Sequence, residues 1–113
     1  KASTAPLLKK QDGRIDWTHP AARIRDRVRG LTPWPGAYGR LEGKLVKILA
    51  AEVVPGDGEP GLLIDQGGGV LAVGTGIGLL RLVILQPEGK RPMTAAEFLR
   101  GHKGLIGKRF ENP

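Results

Sequence analysis

The side chains of this chain that could do chemistry are, above all, its lysines and arginines. Lys9 and Lys10 stand together, Arg23, Arg25, Arg27 and Arg29 alternate along one short stretch, Arg40 and Lys44 follow, and Lys90 with Arg91 forms a later cluster. Residues 1–50 hold 11 Lys and Arg against 4 Asp and Glu, residues 51–87 hold 1 against 4, and residues 88–113 hold 6 against 3. Positive charge is therefore placed at both ends of the chain, around a mildly acidic middle. Ends that meet in the fold would make one positive face, the electrostatic footprint of a polyanion binder. A basic surface with no partner accounts for the composition equally well.

Other chemistry has little to stand on. His19 and His102 are far apart, without metal-ligand spacing, and both read as exposed surface residues. There is no cysteine, hence no thiolate and no disulfide framework. No Ser-His-Asp arrangement and no close carboxylate pair has local support. Gly74-Thr75-Gly76-Ile77-Gly78 resembles a phosphate cradle only superficially. It runs into a β-branched strand and lacks the Gly-Lys-Ser/Thr of a Walker loop, so a tight hairpin turn is expected there. The expectation is a chain with no catalytic residue, no metal site and no cofactor site of its own.

The elements that must position the cations follow from periodicity. Residues 1–15 read as an extended basic connector with a turn at Gln11-Asp12-Gly13. Thr18 is expected as the N-cap of a helix with Pro20 in its first turn, and Ala21, Ile24, Val28 and Leu31 form its apolar stripe. Arg25 with Arg29 and Arg23 with Arg27 flank that stripe on its two sides, so they do not make one basic face. Gly30 weakens the last turn, and Pro33 and Pro35 forbid continuation. Strands are expected near Tyr38–Leu41, over 44–54 with a bend or bulge, and over 62–65, 70–73 and 79–85. Thr94 then caps a short helix with Glu97 at the capping-box position, and Phe98 and Leu99 facing inward. This is a mainly β chain with two short helices (α+β), its five strands spaced as in a small barrel or sandwich. Closure would remove exposed sheet edges. Trp17 and Trp34 serve either as packing against helix and barrel or as base-stacking platforms. At 113 residues there is room for one domain, and no apolar run reaches the length of a membrane span. Lys1-Ala2-Ser3-Thr4 reads as the middle of a longer polypeptide.

Several of these residues carry a resemblance. Lys10, Ile15-Asp16-Trp17, Ala21-Ala22, Ile24, Val28-Arg29 and Pro33-Trp34-Pro35-Gly36-Ala37 are similar to the start of the C-terminal domain of methionyl-tRNA formyltransferases. Gly61, Val73-Gly74-Thr75-Gly76, Leu85-Gln86-Pro87, Gly89-Lys90, Met93 and Glu97-Phe98-Leu99-Arg100-Gly101 are similar to its end. Residues 106–113 match none of the family's motifs. The resemblance implies an OB-like five-stranded barrel with an N-terminal helix and a short C-terminal helix. It divides the chain into a basic linker over 1–15, leading from a missing Rossmann-like catalytic domain, and an OB-like domain over 16–113. That absent domain would bind 10-formyltetrahydrofolate and hold the catalytic residues, and the parent enzyme would be cytoplasmic, with no membrane partner.

For this chain the resemblance implies binding of initiator tRNA through its backbone. Lys10, Arg29, Lys90 and Arg91 follow from motif position, and Lys9, Arg40 and Lys44 join them as candidates by charge. Arg29 could equally cap the carbonyls of its helix. The competing expectation is a structural or oligomerisation domain of a formyltransferase acting on a small substrate such as an amino sugar nucleotide. The two differ in whether Lys10, Arg40, Lys44, Lys90 and Arg91 converge on one face without interrupting carboxylates.

Overall fold

The computed structural model describes residues 13–32 and 36–111; Lys9, Lys10, Pro33, Trp34 and Pro35 lie outside them. The element order is α1 (Ala21–Leu31), β1 (Ala37–Leu41), β2 (Lys44–Val54), β3 (Leu63–Gly67), β4 (Val70–Gly74), β5 (Leu79–Pro87), β6 (Met93–Thr94) and α2 (Ala95–Gly101). A 3-10 turn over Lys103–Leu105 follows. The expected mainly β, α+β class is what forms, with a sixth, two-residue strand added.

All strands join one antiparallel sheet in the order β1-β2-β5-β4-β3, with β6 on β5. Turn chemistry sets the registers. Glu42 (φ 50°) and Gly43 (φ 80°) make a two-residue connection between β1 and β2 with both φ positive, the geometry that matches strand twist. Register shifts between Ile48 and Ala51 mark the expected bulge in β2. Alternation along β1, β2, β4 and β5 puts Ala37, Leu41, Val46, Ile48, Leu71, Val73, Leu80, Leu82 and Leu85 into one core.

The ladder is not closed by strand pairing between β1 and β3. The chain's last described residues cross that gap instead. Phe110 bridges Leu41 at the end of β1, and Arg109 bridges Leu62 just before β3. Phe110 is buried and stacks on Trp17, with ring centroids 4.7 Å apart. Packing is therefore the role of Trp17, whose accessible surface is nil.

α1 packs its buried Ala21, Ile24, Val28 and Leu31 on the sheet, mainly on β2. The helix opens differently from expectation. Pro20, not Thr18, is the N-cap, with no side-chain cap hydrogen bond. Thr18 gives both its N–H and its hydroxyl to Asp16 Oδ1, at 3.0 and 2.5 Å, closing a local turn ahead of the helix. One orphan donor is met from outside: Ala21 N–H donates to the Ile77 carbonyl at 3.0 Å. The 75–78 segment is indeed the β4–β5 hairpin turn, since Gly74 pairs with Leu79. It also clasps the helix entry, where Gly76 N–H donates to His19 O. A Cβ at Gly76 would overlap the Thr18 carbonyl, so only glycine fits. Ahead of this clasp, Arg14 bridges Tyr38 and Ile15 is already buried in the core.

α2 begins with the expected capping box: Thr94 Oγ1 accepts from Glu97 N–H, and Glu97 Oε1 accepts from Thr94 N–H. Those bonds hold the Glu97 carboxyl below its ordinary value, the backbone bond from Thr94 most of all. Phe98 is buried as expected, while Leu99 is only half-buried against the core. Neither histidine is a free surface group. His19 lies 3.4 Å from Asp16, and His102 stacks on Phe98 at 4.3 Å with its Nδ1 3.0 Å from the Phe98 carbonyl.

Candidate nucleic-acid interface

The registers of β1, β2 and β5 build a shallow groove of about 500 Å³ lined by Tyr38, Arg40, Leu45, Lys47, Gln86, Pro87, Glu88 and Gly89. Arg40 is opposite Leu45, Tyr38 opposite Lys47, and Lys47 opposite Gln86. Residues opposite one another in a ladder share a face, so these side chains lie in two adjacent rows. The turn after β5 forms the groove's end. Glu88 N–H donates to Leu45 O, Lys90 N–H to Pro87 O, and Gln86 Nε2 to Lys90 O at 2.9 Å.

The sequence-based candidates distribute unevenly over this surface. Arg40 lines the groove, and Lys90 follows the bonded turn at its end. Arg91 is the next residue, exposed, and close enough to Glu97 to lower its pKa. Lys44 does not join them. It lines a separate apolar hollow with Leu41, Val46, Pro87, Phe98, His102 and Leu105, on the side of the strand that Val46 occupies. Arg29 is exposed in the last turn of α1 and is not among the groove residues. Lys9 and Lys10 lie outside the described residues. Glu88 puts one carboxylate into the basic wall. Lys47 is a lining cation that the sequence reading did not single out.

Pairing does not by itself set the groove cations apart, since Arg23, Arg29 and Arg100 also form no ion pair among the described residues. Among the described residues, Arg40, Lys44, Lys47, Lys90 and Arg91 form no ion pair. The tail cations are committed: Lys108 faces Glu42 at 3.9 Å, and Arg109 is bonded to Glu59. Arg25 pairs with Asp26, and Arg81 with Glu52. A smaller notch at the entry to α1, lined by Arg14, Asp16, His19, Arg23 and Arg27, is a mixed-charge site. There the Asp16 carboxyl is held below its ordinary value by the hydrogen bonds from the Thr18 hydroxyl and then its amide. Among the described residues no His, Cys, Asp and Glu group could hold a metal, and no helix is long and apolar enough to cross a membrane.

Fold and groove together define a small α+β domain with an open cleft lined in part by cations. The formyl transferase C-terminal domain family model matches residues 7–103, and the chain belongs to that family. It is 44% identical over 109 residues to the methionyl-tRNA formyltransferase of Citrifermentans bemidjiense, covering 93% of this chain and 34% of that protein. It is 50% identical over 99 residues to that of Thermodesulfovibrio yellowstonii, covering 88% and 32%. The chain thus spans about a third of the length of these curated relatives. The fold is also that of part of HypX from Aquifex aeolicus, solved in complex with tetrahydrofolic acid. There the TM-score is 0.72 at 21% identity, over 92% of this chain and 19% of that one.

Proposed function

We propose that this chain is the tRNA-docking domain of a cytoplasmic methionyl-tRNA formyltransferase. It holds the backbone of initiator tRNA while an N-terminal Rossmann-like domain transfers formyl from 10-formyltetrahydrofolate to the methionyl amino group. Residues 1–15 serve as the basic linker between the two, and 16–113 as the docking domain. The observation that carries the reading is the gathering of Arg40 and Lys47, neither in an ion pair among the described residues, in the β1-β2-β5 groove, with Lys90 and Arg91 following at its end. Arg40, Lys47 and Lys90 contact phosphates there, with Arg91 beside them and Lys9 and Lys10 supplied by the linker. Lys44 and Arg29 add long-range attraction from other faces. Binding is mostly counterion release, weak in isolation and without base readout.

Glu88 favours a second reading, in which the domain only stabilises or oligomerises a formyltransferase for a small substrate. A salt titration of the domain with initiator tRNA, beside a charge-matched duplex, separates the two. The docking reading expects log affinity to fall linearly with log salt for both ligands. Arg40→Ala with Lys47→Ala should reduce that slope by about 2, roughly one per lost phosphate contact, while Arg81→Ala leaves it alone. Absence of binding at low salt, or an equal effect of Arg81→Ala, would leave the structural reading standing.

A further inference from the structure

The segment from Lys108 to Glu111 lies beyond the stretch that matches the family model, yet it fills the gap in the sheet. Leu63 N–H donates to Lys108 O at 2.9 Å and Phe110 N–H to Gly61 O at 2.8 Å on the β3 side. On the β1 side Glu111 N–H donates to the carbonyl of Arg40 at 2.7 Å. The Glu111 carboxylate accepts from Gly43 N–H at 2.9 Å, gripping the β1–β2 turn. Between these bonds the Phe110 ring is wedged under β1. A Cβ at Gly39 would come 2.5 Å from the ring, and the ring also stacks on Trp17.

From this geometry we infer that Lys108–Glu111 is a closing strand that positions the groove, with Phe110 and Glu111 acting on Arg40 through the backbone of β1. It fixes the edge from which Arg40 projects, without touching the ligand. The inference rests on the reading of the groove as a polyanion site, and two variants test it in the whole chain. Glu111→Ala removes the surface carboxylate that accepts from Gly43 N–H and keeps the backbone N–H that donates to Arg40 O. Bulk electrostatics alone would then tighten polyanion binding, whereas loss of positioning weakens it, so the sign discriminates.

The expected result is a fall in affinity for initiator tRNA of about three- to tenfold, the size of one lost hydrogen bond. Phe110→Ala should fall at least as far, with Phe110→Leu recovering part. Amide exchange should quicken at Gly43 and Leu63 while the β4–β5 ladder stays protected. Unchanged exchange at those two amides, or tighter binding by Glu111→Ala, overturns the positioning role. If Arg40→Ala weakens binding and neither tail variant does, the closing strand is not a positioning element but the groove reading survives. If Arg40→Ala also leaves binding unchanged, the groove reading fails and takes the positioning role with it.

Discussion

Trp17 is buried on every side, yet among the described residues its indole N–H has no hydrogen-bond partner. A buried donor left unmade is costly, so its retention must come from ring area and the stack on Phe110. Trp17→Phe should therefore cost clearly less than Trp17→Ala, for which a loss of about 3–5 kcal/mol is expected. Urea denaturation of the two variants measures the difference. Equal losses would mean that the ring retained by phenylalanine contributes nothing at this site. Asp16 poses the complementary case, since its carboxylate is held down by Thr18. The folded state then binds fewer protons than the unfolded one. The contribution to stability is present above the ordinary aspartate value of 3.8 and is lost as pH falls through the lower folded value. Asp16→Asn should accordingly flatten the acid limb of the stability curve slightly, by an amount limited by solvent screening. An unchanged acid limb would remove the Thr18 bonds from the account.

At the scale of the element, α1 carries its own test. Gly30 lies inside the helix, exposed, with nothing within 4 Å of where a Cβ would be. Gly30→Ala should therefore stabilise the domain by about 0.5–1 kcal/mol, through helix propensity and a less flexible unfolded chain. Thermal unfolding checks it, and a decrease in melting temperature would mean that this face is covered. The helix stripe and the Thr94–Glu97 capping box were legible because both are local patterns. The start of α1 was not, because Thr18 is captured by Asp16 and the helix donor is met by a hairpin nearly 60 residues later. Lys47 was within reach. The Glu42-Gly43 turn fixes Arg40 opposite Leu45 and Tyr38 opposite Lys47, so the outward row could have been read from two strands already expected. The separation of Lys44 from Arg40 follows from the same period of two.

Across the whole molecule, what sequence could not supply is how separate segments lock one another. The tail that completes the sheet pairs with strands some 50 and 70 residues earlier, and no short-range pattern announces such a partner. The entry of α1 is held the same way, by Gly76 and Ile77 of the β4–β5 turn. Gly76 and Gly30 therefore make an instructive pair, since one chemical change has opposite consequences at the two sites. At Gly76 a methyl group would run into the Thr18 carbonyl, whose neighbour His19 accepts the Gly76 N–H at 3.1 Å. Neither backbone can retreat without giving up that bond or the one from Ala21 to Ile77. Gly76→Ala should thus destabilise by about 1–3 kcal/mol, the range for forced overpacking. It should also quicken amide exchange at Ala21 while leaving the α2 capping box intact. Because this site is remote from the groove residues, the salt slope for tRNA should stay that of the parent chain in the folded fraction. A loss of stability without faster exchange at Ala21 would place the strain in the hairpin alone and dissolve the clasp as a long-range lock.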